Sequence, residues 1–294
     1  MEGSSRKKVL RPNDGSRKHH YIPEYFTKGF VDAGGMVWMY DKQAKRYLGR
    51  KAPSQVFYLY DDNTAFIRGQ RNTIAEQSFM RTDHVQAERV KAFLACPNTH
   101  DGISDALHAR MSEHMLMQYF RSPRNRAKYD LVFDNMKNWS GMLDGVDFDP
   151  RMFGPTDTLR QLSKAYLPRE LFSALLDRVD GQWIGKTYDK SDQEILVLTD
   201  NPVVYLKPPV KLMDLLDSCM LAMSSRRLYV RDFREDDSDP LVTMIQYNVM
   251  AIEQADRIVC ASSKEFLVKA VEAWEAAVQV HNEILLAQAS AKLE

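Results

Sequence analysis

The feature that most constrains the fold is a change of hydrophobic period part-way along the chain. From Thr73 to Leu94 apolar residues recur at helical intervals (Ile74, Phe79, Val85, Val90, Phe93) with charges in the gaps, which predicts an amphipathic helix. A second helix is expected over Ser104–Phe120, with Leu107, Met111, Met115 and Leu116 on one face. A third is expected over Arg124–Trp139 and a fourth over Pro168–Val179. Pro97-Asn98 and Ser122-Pro123 separate the first three, because a residue before proline is driven out of the helical region. From residue 181 the pattern becomes short apolar runs broken by turn residues: Trp183–Tyr188, Glu194–Thr199, Val203–Leu206, Cys219–Met223, Leu228–Val230 and Arg257–Ala261. Helices over Leu241–Ala255 and Lys264–Gln288 flank the last run. Near the start, Met36–Asp41 follows a Gly34-Gly35 turn as a strand, Lys45–Tyr47 is its hairpin partner, and residues 55–60 form another short strand.

The expected architecture is therefore α+β. An N-terminal hairpin and a helical half pack on a mainly antiparallel sheet from residues 181–262, and a long C-terminal helix closes the chain. At 294 residues the chain can bury a full core, read here as one domain over 19–294. The Gly-, Asp- and Pro-rich stretch 141–157 is the best internal boundary. In the last helix Leu267, Val271, Trp274, Val278, His281 and Leu285 form a stripe at steps of three and four. That stripe serves either as a homodimer seam or as a face docked on the protein's own sheet.

Residues 1–18 carry Arg6, Lys7, Lys8, Arg11, Arg17 and Lys18 among Ser, Gly and Pro, and read as a disordered basic arm. Such an arm either touches a polyanion or solubilises the terminus. Elsewhere forty basic and forty acidic residues cancel, so no global field favours nucleic acid. The three cysteines, Cys96, Cys219 and Cys260, make no Cys-x-x-Cys pair, which argues against a zinc ribbon and against a disulfide framework. A reducing, cytoplasmic setting fits that usage. No apolar run approaches the roughly 20 residues of a membrane span, and no apolar segment follows the basic leader to make a secretory signal.

The segment His19–Phe30 packs a histidine pair, a proline, four aromatics and a glycine into twelve residues. His20 can serve as general base, general acid or metal ligand, and Ile22-Pro23 restricts the backbone beside it. The other reading is a histidine whose nitrogens pin the segment to the fold, with His19 a solvated neighbour. Gln118 and Arg121 lie three apart near a helix end and share a face. Arginine offers a fixed fork for phosphate or carboxylate, and glutamine can orient a water or a substrate amide; alternatively Arg121 clamps an acid in the core. Asp200 stops a strand before Asn201-Pro202, and Asp41 does the same after Trp38-Met39-Tyr40. Each is either a carboxylate for a divalent ion or the cap of its own turn. His108 and His114 are six apart, share no helical face, and are set aside.

The opening His20-Tyr21-Ile22-Pro23 resembles the His-Tyr-x-Pro start of a widespread, largely bacterial family, the domain of unknown function four-two-three-eight. Tyr40-Asp41-Lys42, the Gln-x-x-Arg-x-Pro element Gln118–Pro123, Thr199-Asp200-Asn201-Pro202-Val203, Tyr247-Asn248 and Ala255-Asp256-Arg257 resemble its later elements in order. The Thr-Ser-Asp-Asn-Pro-Val pattern appears here without its serine. The resemblance implies a shared fold and a shared site, but no reaction.

Two functions compete, and the first is the expected one. In the first, the protein is a nuclease-like hydrolase acting on phosphodiesters of a nucleic acid or nucleotide. His20 is then its base, Gln118 and Arg121 engage the substrate, and Asp200 with Asp41 holds magnesium or manganese or orients the histidine. In the second, the same residues are a structural network in a noncatalytic binding or regulatory module. Walker, Gly-x-Gly-x-x-Gly and Gly-x-Ser-x-Gly signatures are missing, so no nucleotide-cofactor loop or serine-hydrolase elbow is expected.

Overall fold

The computed structural model describes residues 17–67, 70–97, 103–130, 172, 185–189, 193–210, 213–216, 218–231 and 240–290. The basic arm up to residue 16, the end of the helix expected over Arg124–Trp139, the 141–157 boundary and all but one residue of the expected Pro168–Val179 helix lie outside them.

The described chain is α+β. Strand β1 (Lys18–His20) leads into a one-turn helix α1 (Glu24–Thr27), then β2 (Val37–Asp41), β3 (Arg46–Lys51), β4 (Tyr58–Tyr60), β5 (Ala65–Ile67) and β6 (Gln70–Asn72). Helices α2 (Ile74–Ala95) and α3 (Asp105–Arg121) follow. The later half holds β7 (Gly185–Asp189), β8 (Leu198–Thr199), β9 (Val204–Tyr205), β10 (Cys219–Ala222), β11 (Arg227–Arg231), α4 (Pro240–Gln254), β12 (Ile258–Ala261) and the long C-terminal α5 (Lys264–Ser290).

Every ladder among the described residues is antiparallel, but the strands do not make the one sheet expected from 181–262. They form two four-stranded sheets, β7-β11-β10-β9 and β3-β2-β12-β8, with two-stranded pairs β1-β4 and β5-β6. The N-terminal hairpin does not pack on the later sheet. It completes it, with Asp41 opposite Ile258 and Trp38 opposite Ala261. Strand β12 is almost wholly buried and needs a hydrogen-bonded neighbour on each edge, which β2 and β8 supply. The Glu194–Thr199 run is strand only at its end. Ile195 and Leu196 donate their amides to the Ser225 carbonyl, and Val197 donates to Asn248 Oδ1, so their donors are satisfied without a ladder.

Helix α3 starts at Ser104, whose Oγ accepts from the Leu107 amide. It is buried without a break from Met111 to Phe120, so it is a central helix and not a one-faced one. On α2 the inward stripe is Phe79, Gln86, Val90 and Phe93; Val85, expected on it, is exposed. The inner half of α5 buries Leu267, Ala270, Val271 and Trp274, and the Trp274 indole donates to Glu253 Oε2 at 2.7 Å. That half of the stripe is docked on the protein's own fold, while Val280 and Ile284 beyond it are exposed. No helix among the described residues is long and apolar enough to cross a membrane.

Candidate functional site

The opening segment is held by three apolar anchors at steps of four: Ile22, Phe26 and Phe30, all at most 1% exposed. Pro23 sits extended (φ −59°, ψ 146°) and its carbonyl accepts the amides of Phe26 and Thr27, which starts α1. His20 ends β1 just before this turn. Its ring meets Tyr58 edge-on, with centroids 5.7 Å apart. Its Nε2 lies 3.7 Å from Glu24 Oε1, beyond hydrogen-bond reach, and is shielded from solvent without a partner. Burial holds the His20 pKa below its ordinary value, against the opposing pull of Glu24, Glu76 and a hydrogen bond to the Ser54 backbone, so the ring is neutral at pH 7.

His19, expected to be solvated, is buried. Its Nδ1 accepts the Asn63 amide at 2.7 Å, and Asn63 Nδ2 donates to Glu76 Oε2 at 2.8 Å. Alternation along β1 is the cause, since neighbouring side chains on a strand take opposite faces.

His114, Gln118 and Arg121 lie along one face of α3 at steps of four and three. The Arg121 guanidinium is 5% exposed and is engaged on both arms. Nη1 pairs with Asp83 Oδ1, and Nη2 bonds the His20 carbonyl at 2.7 Å and Asp83 Oδ2 at 3.3 Å. The group lies 4.6 Å above the Phe79 ring. Arg121 thus meets the backbone of His20 and not its imidazole. Gln118 is buried, with Oε1 unbonded. His114 is wholly buried, facing Phe26 and the Tyr25 hydroxyl, and burial with the nearby Arg121 and Arg89 charges pushes its pKa down to about 3. It belongs to this constellation, against the expectation from its spacing to His108. Its step of four to Gln118 was the available signal; pairing it with His108 hid that, since His108 faces the Tyr229 hydroxyl instead.

Asp200 and Asp41 meet elsewhere, on the turn between α4 and β12. Asp200 accepts three backbone amides: Asp256 at 2.9 Å, Arg257 at 2.7 Å and Ile258 at 2.9 Å. Burial raises its pKa and these three donors oppose the rise. Asp41, fully buried, takes Arg257 Nε at 2.9 Å and Nη2 at 2.8 Å on one oxygen and the Ala44 amide at 3.0 Å on the other. The Arg257 hydrogen bonds hold its pKa below the usual carboxylate range. Lys42 Nζ caps the same turn through the carbonyls of Glu253 (2.7 Å) and Ala255 (3.2 Å), and Asn201 Nδ2 donates to the Gln254 carbonyl. A helix C-terminus gathers such donors because its last carbonyls are unpaired and carry partial negative charge. Ser122 Oγ, which donates to the Asp200 carbonyl at 2.9 Å, joins this turn to the end of α3.

The oxygens expected to hold magnesium or manganese are thus bonded to arginine and backbone donors. Among the described residues no group of three or more His, Cys, Asp and Glu side chains is placed to hold a metal ion.

Two hollows flank the link between His20 and Arg121. One is a groove of about 460 Å³ between β1–α1 and α2, with Glu24, Glu76 and Asp83 as its carboxylates and Tyr25 and Met80 among its walls. The other, beside Tyr21 and Ser122, holds about 20 Å³, room for about one water. Neither Asp41, Asp200 nor Gln118 lines either hollow.

The model of the family described as Protein of unknown function (DUF4238) matches residues 18–265. The chain belongs to that family. No curated protein and no solved structure matches it. The DUF4238 match begins at the first residue of β1 and ends in the first turn of α5, so it takes in both the His20–Arg121 link and the α4–β12 turn. The elements that carried the resemblance thus have physical roles in this DUF4238 member. Asp41, Lys42, Asp200, Asn201 and Arg257 bind one turn together, Arg121 ties α3 to α2 and β1, and Asn248 holds the Ile195–Val197 segment, which joins no ladder, through Val197 N and Ile195 O.

Proposed function

We propose that this protein is a noncatalytic binding module that takes its ligand in the groove beside His20. The observation that carries the reading is the closed Arg121 fork: both arms are engaged by Asp83 and the His20 carbonyl, deep in the fold. An arginine that stabilises developing phosphate charge must present that fork to the substrate. The carboxylates expected to hold metal are engaged in the same way at the α4–β12 turn, on residues that line neither hollow. The groove is lined by the carboxylates Glu24, Glu76 and Asp83 against the cations Lys18 and Arg121, a balance that does not favour a polyanion.

A second reading, a hydrolase, is favoured by one observation. His20 Nε2 has no partner and its ring is neutral, the state a general base requires.

Wild type and His20→Ala, each with and without magnesium or manganese, are to be incubated with single- and double-stranded DNA, RNA and nucleotides. The module reading expects no turnover from either protein. Turnover by wild type alone, with the variant equally folded by thermal melt, establishes the hydrolase and overturns the module.

A further inference from the structure

We propose that His20 is a proton-operated gate on Glu24, and through it on the charge the groove offers a ligand. The inference rests on the groove being the binding site. Of the groove's three carboxylates, Asp83 is held by Arg121, and Glu76 accepts from Asn63 and lies 3.9 Å from His19. Glu24 faces His20 alone, across 3.7 Å. A neutral His20 leaves Glu24 to the groove. An imidazolium presents an N–H to the same oxygen, and a charge-assisted bond of about 2.8 Å forms after roughly 1 Å of movement. The histidine then acts as an internal cation that takes the carboxylate from any external donor.

The charges around the ring divide, and burial sets its switching range below the ordinary histidine value. Glu24 from α1 and Glu76 from α2 favour the proton. Arg121 from α3 opposes it, although Asp83 on α2 neutralises much of that charge. Tyr58 on β4 contributes an uncharged ring edge, and Lys18, two residues earlier on β1, lies over the Tyr58 ring at 4.6 Å. His84, on α2 one turn beyond Met80, and the Tyr25 phenol, whose pKa burial raises, are the remaining titratable groups of the groove. Both positions at which the switch acts are local, since His20 and Glu24 are four residues apart around the Pro23 turn.

The test is an NMR titration of the full chain from pH 8 to 5 in a His84→Gln background, reading the His20 ring and the Met80 methyl. Met80 is 65% exposed on the same groove and reports its shape. The expected result is a single midpoint shared by the two signals. Glu24→Gln should move the His20 midpoint down by at least half a pH unit and leave Met80 still, and His20→Gln should abolish the Met80 response. A Met80 methyl that ignores the His20 midpoint, or a midpoint unchanged by Glu24→Gln, overturns the gate. No ligand enters this experiment, so its failure is separable from a failure of the groove to bind.

Discussion

Replacing His114 by leucine should flatten the acid limb of the stability curve, and by an amount the structure sets. His114 is wholly buried, with its pKa pushed from 6.5 to about 3 by burial and by the charges of Arg121 and Arg89. In the unfolded chain the ring recovers its ordinary value. A group whose folded pKa lies below its unfolded pKa takes up more protons unfolded than folded between the two values. Its contribution to stability is therefore fully present above pH 6.5 and is lost as pH falls toward 3. At pH 5 the unfolded ring is about 1.5 pH units below its pKa while the folded ring is still neutral. At 1.36 kcal/mol per unit the loss is about 2 kcal/mol. Urea unfolding at pH 7.5 and pH 5 measures it. Wild type should lose about 2 kcal/mol more between the two pH values than His114→Leu. The comparison cancels His20, whose depressed pKa acts with the same sign in both proteins. Equal losses in the two proteins would refute the claim that His114 is held neutral inside the fold.

Asp200→Asn leaves one carbonyl oxygen for the three amides of Asp256, Arg257 and Ile258, and should cost about 2 kcal/mol by chemical denaturation. A loss within about 0.5 kcal/mol of zero would show that these amides find other partners. Asn248→Ala strips Val197 N and Ile195 O of their partners at once, and should also cost about 2 kcal/mol. Amide exchange at Val197 should quicken with it, and protection unchanged from wild type would contradict that role. Trp274→Phe removes the 2.7 Å bond to Glu253 while keeping an aromatic ring against the fold, and should lower stability by about 1 kcal/mol.

The helices were legible in the sequence because their periodicity is local. Thr73–Leu94 and Ser104–Phe120 appear as Ile74–Ala95 and Asp105–Arg121. The sheet was legible in its strands but not in their partners. Nothing near Asp41 says that it will pair with Ile258, since that ladder is chosen by which edges of buried β12 remain open. The short β1 was missed as a strand because its partner β4 lies about forty residues on, and with it the inward turn of His19. Residue types at the site were readable, but their assignment was not. Arg121 and Asp200 have the chemistry of a catalytic pair, and each also has the chemistry of a clamp. The choice depends on Asp83 and on the amides of Asp256–Ile258, contributed by segments 38 and about 57 residues away. Gln118 shares the helical face of Arg121 as its spacing predicts, yet it is buried and lines neither hollow.

The most direct test of the account is a double-mutant cycle on stability with Arg121→Gln, Asp83→Asn and the double variant. A structural clamp predicts that each single change costs about 3 kcal/mol, because either one leaves a largely buried charge unpaired, and that the pair is coupled by about 2 kcal/mol. Additive effects near zero would mean that the guanidinium is free for a ligand, and would contradict the assignment of Arg121 to the fold.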